Sequence, residues 1–527
     1  MTTASSEDAS VRLSELVALM SLGADLGLGQ PMEHALRQCL IALRIADRLG
    51  LDEEQRGTLY YVNLLAWVGC HIDAYEQAKW FGDDIRMKAD VRHTDFGGAG
   101  ALRFMVTHVG AQRSGLDRAR VVLAFAAVGR RDADVMIANH WYAADDLATR
   151  LGLSEEVRRP LFQTFERWDG HGLPTGTKGA ANLLAARVVN LADVLEVYHR
   201  ADGAAAALRV ARERRGSQFD PTLVDLACDT GAALFEGLDA ATTWDTVIAA
   251  EPALGRTVHG RALDDAFEAL ADFADTKSPY TLGHSRAVAA LSAGAAALLG
   301  LPPATVTHVR RSALVHDLGR LGVSNAVWDK CGGLTAAEEE RVRLHPYLTE
   351  RMLASAPALR GFGQTATQHH ERIDGSGYPR GVQGDALTVS GRILAAADAY
   401  HAKLEPRPHR PALSPDDGAR WARAEVRAGR LDASAVDAVL AAAGHAVRRR
   451  KDWPAGLTSR EVEVLRLLAR GVPNREIAER LVISRKTAGN HIEHIYVKIG
   501  VSNRARASLF AVRHGLMAAG EEGVFAP

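Results

Sequence analysis

The chain has 527 residues and a formal net charge of -1, too long for one hydrophobic core at about 150 residues per domain and too balanced to signal a nucleic-acid or membrane partner except locally. Cys39, Cys70, Cys228 and Cys331 form no Cys-x-x-Cys pair, which excludes a disulfide framework and a zinc knuckle and leaves buried thiols as the expectation. The N-terminus has no signal-peptide pattern, and the longest apolar run, 287–301, is broken by Ser292 and Gly294, so a soluble cytoplasmic protein with no membrane partner is expected.

Apolar residues recur at helical spacing from the start, in VRLSELVALMSLGADL (11–26) and EHALRQCLIALRIADRLGL (33–51), and again in GHSRAVAALSAGAAALLGL (283–301). No stretch alternates like a strand for long, so the fold class is all-α. Breakers over 237–252 and at Trp453-Pro454-Ala455-Gly456, the second preceded by the basic run Arg448-Arg449-Arg450-Lys451, divide the chain. The expected domains are 1–245, 246–447 and 457–527, with 448–456 as a linker.

The first two regions repeat one another. At an offset of 250, His34 falls on His284 and NLLAWVGC (63–70) on ALVHDLGR (313–320); at 205, His140 falls on His345, WDGHGLP (168–174) on IDGSGYP (373–379) and Asp193 on Asp398. An ordered set of matches points to a duplication, with extra residues in the first copy between Gly69 and His140. That segment holds His71, Asp73, Asp83 and Asp84, expected to be solvated polar groups of helices rather than a second metal site.

The second copy carries, in order, His284, His316-Asp317, His345, His369-His370 and Asp398. Singly, each has a plain structural reading: a helical histidine more often packs or caps than ligates, and an aspartate pairs with an arginine. Together, imidazoles and carboxylates suit borderline divalent metals. Adjacent His-Asp offers two ligands from one turn, with the carboxylate able to bridge two ions, and two metals about 3.5–4 Å apart can clamp a phosphoryl group during displacement. The paired histidines then supply one imidazole to each side of the centre.

In that order LVHDLGR (314–320), LHPYLTERML (344–353), HHERIDGSGYPRG (369–381) and ILAAADAYHA (393–402) resemble the HD-GYP subfamily of HD phosphohydrolases, over roughly residues 265–445. The resemblance implies a helical domain that hydrolyses cyclic di-GMP with divalent metals, iron or manganese. By position it makes His284, His316, Asp317, His345, His369, His370 and Asp398 the metal ligands, with Asp317 and Arg320 at the reaction centre. Gly377, Tyr378 and Pro379 match the substrate-side loop, and Arg407 and Arg410 the basic segment that meets phosphate, to which a guanidinium fork is suited. The chain departs from the family at Tyr280, where a third-metal glutamate can stand, which implies two metal ions. It departs again at Arg320, where lysine is usual, and at His401-Ala402-Lys403, where Asp-Ala-Leu is usual. Arginine keeps the positive charge but cannot release a proton at neutral pH, so turnover is expected to be slow. The first copy has Ala66-Trp67 and Thr164-Phe165 at its ligand positions, too few ligands for a dinuclear site, and is expected to be a degenerate sister domain that forms an interface or senses a nucleotide.

Residues 457–516 carry eleven Lys/Arg against five Glu. Thr458-x-x-Glu461 is a capping box that opens a helix with Val462, Leu465, Leu468 and Ala469 inward. A short helix is expected over 476–481, and Ser484 caps a basic one over 485–499. This is the helix-turn-helix order, four helices in all, whose last short-turn partner enters the major groove. LTSRE, NREIAERL, SRKTAGNHI and KIGV resemble the LuxR-type DNA-binding domain. That resemblance makes Arg485, Lys486, Thr487, Asn490, His491 and Lys498 the DNA-facing set and duplex DNA a partner; Gly489 stands where Lys or Arg is frequent. Paired half-sites call for a homodimer. The expected whole is a transcription regulator with a cyclic dinucleotide phosphohydrolase. Its rivals are a sensor that binds the nucleotide without cutting it and a phosphohydrolase acting on another ester.

Overall fold

The computed structural model describes residues 10–95, 99–238, 243–252, 255–446, 453–481 and 483–517. The basic run 448–451 of the expected linker, and part of the break over 237–252, lie outside them. Among the described residues helix follows helix, and the only strands are Val11–Arg12 and Thr257–Val258, paired antiparallel with Val11 opposite Val258.

The chain forms two compact units, one up to His445 and one from Ala446 on. The division expected near residue 245 falls inside the first unit, because the two halves share a core. A helix that is apolar all round belongs in a core, and Leu13–Gly27 buries every residue except Leu26. It packs on the helices Gly260–Asp275 and His345–Ser355 and on the 3-10 turn Leu318–Gly322, all from the second half. Closest approach is at Gly23, where a Cβ would stand 2.7 Å from Leu321 Cδ1 and 3.0 Å from Phe273. Glu251 adds a polar clasp, accepting from Arg12 (2.6 Å), Ser14 (2.8 Å) and Tyr61 (2.6 Å).

Local geometry recurs at both sequence offsets. The helices His34–Leu49 and His284–Leu298 each follow a left-handed residue, Glu33 (φ 76°) and Gly283 (φ 77°). Asp25 accepts from the amide of Ala35 as Asp275 does from Ser285. The helix Leu184–Asp202 follows the 3-10 turn Gly179–Ala181, as Val389–Leu404 follows Gly384–Ala386. Leu173-Pro174 and Tyr378-Pro379 are both cis. The additional residues of the first half form helices Ala74–Phe81, Asp84–His93 and Ala99–His108 and the start of Gly115–Arg150.

The second unit has helices Ser459–Ala469, Asn474–Arg480, Arg485–Ile499 and Arg504–Arg513 around Val462, Leu465, Leu468, Ile477, Ala488, Ile492 and Ile495. Its capping box is formed: Glu461 N donates to Thr458 Oγ1 and Thr458 N to Glu461 Oε2 (2.7 Å). Ala469, expected inward, is only partly buried. Of the thiols expected to be buried, Cys39 is, whereas Cys331 is exposed, because it lies in the polar loop after Trp328 rather than on an apolar helix face.

Candidate metal centre and nucleic-acid interface

Three histidines are held in one way. His316 Nδ1 donates to the carbonyl of Ala313 (2.6 Å), His345 Nδ1 to Val342 (2.5 Å) and His369 Nδ1 to Ala366 (2.6 Å). A ring that spends its proton on Nδ1 presents Nε2 as a bare lone pair. All three rings are buried, and burial depresses His345 to about 4 and His369 to about 3, so both stay neutral. His345 Nε2 nevertheless lies 3.0 Å from His369 Nε2, and His316 Nε2 is buried with no hydrogen-bond partner. Two lone pairs do not bond to one another; nitrogens so placed fit a shared cation.

Asp317 spans the cluster. Its Oδ1 lies 3.4 Å from His345 Nε2 and 3.5 Å from His369 Nε2, while Oδ2 lies 3.5 Å from His316 Nε2 and 3.9 Å from His284 Nε2. Asp398 Oδ1 stands 3.2 Å from His284 Nε2 and 3.9 Å from His316 Nε2, and its Oδ2 is 3.8 Å from His370. His345, His369 and His370 converge as one set of donor atoms, His284, His316 and Asp398 as a second, and His316, Asp317 and His369 link them. The donor set fits divalent metal binding. His369 belongs to both the first set and the linking one, and His370 reaches towards Asp398 of the second. Burial acts to raise Asp317, but its charged surroundings, with Arg320 bonded to Oδ2, outweigh it and hold the carboxyl far below its ordinary range.

The turn that carries Asp317 depends on Gly319, where a Cβ would stand 2.0 Å from the carbonyl of His345. Arg320 donates to Asp317 Oδ2 (2.9 Å) and lies over Trp328 at 4.2 Å, while Trp328 meets the His345 ring edge-on. In the glycine-rich turn, a Cβ on Gly377 would stand 2.5 Å from Arg372 N and Glu371 Cα. Glu371 accepts from the amides of Arg380 (2.8 Å) and Val382 (2.9 Å), and Tyr378 N donates to the carbonyl of His370, which brings the Tyr378 ring 4.6 Å from the His370 ring. Pro379 follows directly.

Arg407 and Arg410, paired in sequence, separate in use. Arg407 donates to Glu405 (2.6 Å) and to the carbonyl of Tyr280 (3.0 Å) beside the cluster. Arg410 spends its donors on the carbonyls of Ala402, Lys403, Glu405 and Pro411, closing the end of the helix Val389–Leu404. Sequence reasoning missed Glu405, which accepts from His284 Nδ1 (3.0 Å) and fixes that ring. Burial alone would depress His284, but Asp398 and Glu405 hold it up at about 10. The single local signal was the i,i+4 pairing of His401 with Glu405 (3.3 Å).

The equivalent place in the first half is closed. His34 lies between Glu196 (2.5 Å) and Asp193 (3.1 Å), and Arg92 pairs with Asp193 and covers Trp67 at 4.0 Å. His140 Nε2 donates to the carbonyl of Ala66 (3.0 Å), and the ring packs on Phe165. The polar groups of 71–84, expected to be solvated, are largely buried: His71 bonds the carbonyl of Phe273 (2.5 Å), and Asp84 accepts from Ser324 Oγ (2.7 Å), Asn325 N (2.8 Å) and Lys88 (3.2 Å). They stitch the halves together, which only tertiary packing can require; Asp83 caps its own helix.

On the second unit, Arg485, Lys486, Thr487 and Asn490 are exposed on one helix and His491 is half-buried. Ser484 caps that helix by accepting from Thr487 N (3.0 Å). Lys498 donates to Glu461 (2.7 Å) and to the carbonyl of Gly456 (3.3 Å). A Cβ on Gly489 would meet nothing within 4 Å.

Residues 268–435 match the HD domain family and residues 455–511 the bacterial regulatory proteins of the luxR family. The 3'3'-cGAMP-specific phosphodiesterase 3 of Vibrio cholerae is 33% identical over 77% of this chain and 89% of its own length. A cyclic di-GMP phosphodiesterase of Thermotoga maritima is 33% identical over 28% of this chain and 41% of its own. The crystal structure of a cyclic GMP-AMP-specific phosphodiesterase of V. cholerae aligns with 83% of this chain and 99% of that one, with a TM-score of 0.58 and 28% identity. No helix among the described residues is long and apolar enough to cross a membrane. A buried cluster of imidazoles and carboxylates, with a relative matched along nearly its whole length, makes this chain a member of the HD-GYP family of HD-type phosphodiesterases, with a luxR-family domain towards its C-terminal end.

Proposed function

We propose that the chain hydrolyses a 3'3'-linked cyclic dinucleotide at the His/Asp centre and binds duplex DNA through its second unit. The observation that carries the first part is the 3.0 Å approach of His345 Nε2 to His369 Nε2 beside the bridging Asp317. His284, His316, Asp317, His345, His369, His370 and Asp398 are the ligands of two divalent cations, iron or manganese, which when bound supply Lewis acidity towards a phosphodiester and water. Arg320 and Arg407 offer positive charge to the phosphates, and the Gly377-Tyr378-Pro379 turn flanks the substrate. The relative that matches along the chain is named for 3'3'-cGAMP, whereas those named for cyclic di-GMP match a smaller part; 3'3'-cGAMP is therefore the first substrate to test and cyclic di-GMP the second.

The first half is a degenerate copy of the second, as the repeated left-handed entry and aspartate clasp support. Arg485, Lys486, Thr487, Asn490 and His491 face DNA, in a cytoplasmic homodimer reading paired half-sites. The deciding experiment loads the full-length protein anaerobically with iron or manganese and incubates it with 3'3'-cGAMP or cyclic di-GMP, with Asp317→Ala as control. Metal-dependent product, absent from the variant, supports the reading. Bound but uncut nucleotide supports the second reading, a sensor, which is favoured by one observation: Arg320 replaces the family's lysine and is pinned between Asp317 and Trp328.

A further inference from the structure

The first half packs against the helix that adjoins the second half's centre. Its helix Ala74–Phe81 packs on the short helix Asn325–Trp328, and Trp328 both carries Arg320 and meets His345. Tyr75, on that first-half helix, is 36% exposed, although its neighbour Ala74 is buried. Its ring centre lies 6.1 Å from that of Tyr280, with the planes at 72°. Tyr280 is tied to the cluster from the other side: its carbonyl accepts from Arg407, Arg407 bonds Glu405, and Glu405 bonds His284.

We propose that Tyr75 and Tyr280 form an aromatic wall on which one purine base of a cyclic dinucleotide stacks, so that the first half supplies a specificity-determining residue to the second half's site. The inference rests on the function proposed above and adds the residue that grips the base. A purine presents two π-faces and little charge, and aromatic side chains are the general means of holding it. Two rings set edge-to-face offer one face and one edge to a third ring, the arrangement aromatic groups prefer. Neighbouring charges divide the labour: Arg320 bonds Asp317 and Arg407 bonds Glu405 at the ligand cluster, where positive charge suits phosphate, while the tyrosines offer uncharged rings. Packing alone accounts less well for Tyr75, because its ring remains partly open to solvent, whereas Trp80 and Phe81 of the same helix are buried in a first-half core.

The test compares wild type, Tyr75→Phe and Tyr75→Ala as metal-loaded full-length protein with 3'3'-cGAMP and cyclic di-GMP. Loss of a stacking ring is expected to raise KM about ten-fold in the alanine variant, with kcat within about two-fold of wild type, unchanged thermal melting, and near wild-type values for phenylalanine. If wild type turns over and Tyr75→Ala keeps its KM, this proposal falls while the phosphodiesterase reading stands. A phenylalanine variant as impaired as alanine also overturns it, since the hydroxyl and not the ring would then matter. If wild type cuts neither dinucleotide, equilibrium titration of the same proteins with 3'3'-cGAMP decides: about ten-fold weaker binding by the alanine variant supports the wall, and equal binding, or none by wild type, overturns it.

Discussion

The guanidinium of Arg92 lies 4.0 Å from the centre of the Trp67 ring and is ion-paired with Asp193. Trp67 stands 250 residues before Asp317, so in the first half an internal cation and an indole fill the region that, in the second half, brings metal-ligand types together. Arg92→Ala would leave Asp193 buried without its guanidinium partner, and breaking a buried pair from one side costs about 3–5 kcal/mol. Denaturant unfolding is expected to show a loss of that size, with no gain in bound metal; an unchanged midpoint would mean that the pair contributes nothing.

Glu405 orients His284 through Nδ1 (3.0 Å) and is itself held by Arg407. Partners of this kind set the ring angle and basicity of a ligand, and their loss typically weakens metal binding about 10–100-fold. Glu405→Gln is expected to lower metal affinity in that range in competition with a chelator. Retention of full affinity would mean that His284 is fixed by packing alone.

Burial would depress His34, but Glu196 and Asp193 outweigh it and hold the imidazole up at about 9, while burial's opposite pull on Glu196 is overcome by His34, Arg37 and Arg200, which bring that carboxyl down to about 2. The histidine's contribution to stability is therefore complete below its ordinary 6.5 and fades as pH rises through about 9. The carboxylate's is complete above its ordinary 4.5 and fades as pH falls towards about 2. Unfolding free energy measured from pH 6 to 10 should decline more steeply in wild type than in His34→Gln. Parallel slopes would refute the pairing.

Arg320 holds positive charge against Asp317 but has no proton to release. Arg320→Lys, which restores a side chain able to donate one, is expected to raise kcat with metal content unchanged, whereas Arg320→Ala should lower it by about 10²–10³, the usual cost of removing one stabilising donor. A lysine variant slower than wild type would show that the planar fork itself is needed.

Lys486 is exposed without an ion-pair partner among the described residues, whereas Lys498 is bonded to Glu461. Lys486→Ala should therefore reduce the slope of log affinity against log salt by about one, and Lys498→Ala should act mainly on the stability of the second unit. Because a side chain on Gly489 meets open space, Gly489→Lys should stabilise that helix by about 1 kcal/mol and strengthen DNA binding. Salt-dependent titration with duplex DNA and thermal melting separate these effects.

Sequence alone determined the helical class, the order of the candidate ligands, the capping box at Thr458 and Glu461 and the cap at Ser484. Each of these is a local property, expressed within one helical turn or as a fixed spacing. Tertiary structure decided the rest. Glu405 meets His284 across 121 residues, Asp84 bonds Ser324 across 240, and Arg410, alike in sequence to Arg407, is consumed by carbonyls because the chain turns back at the end of Val389–Leu404. A polar side chain carries the same spacing signal whether it ends in water, at a ligand or against a distant backbone. Which of these it meets is set by the desolvation of the place where it is packed, and that place exists only once both halves have closed on the helix Leu13–Gly27.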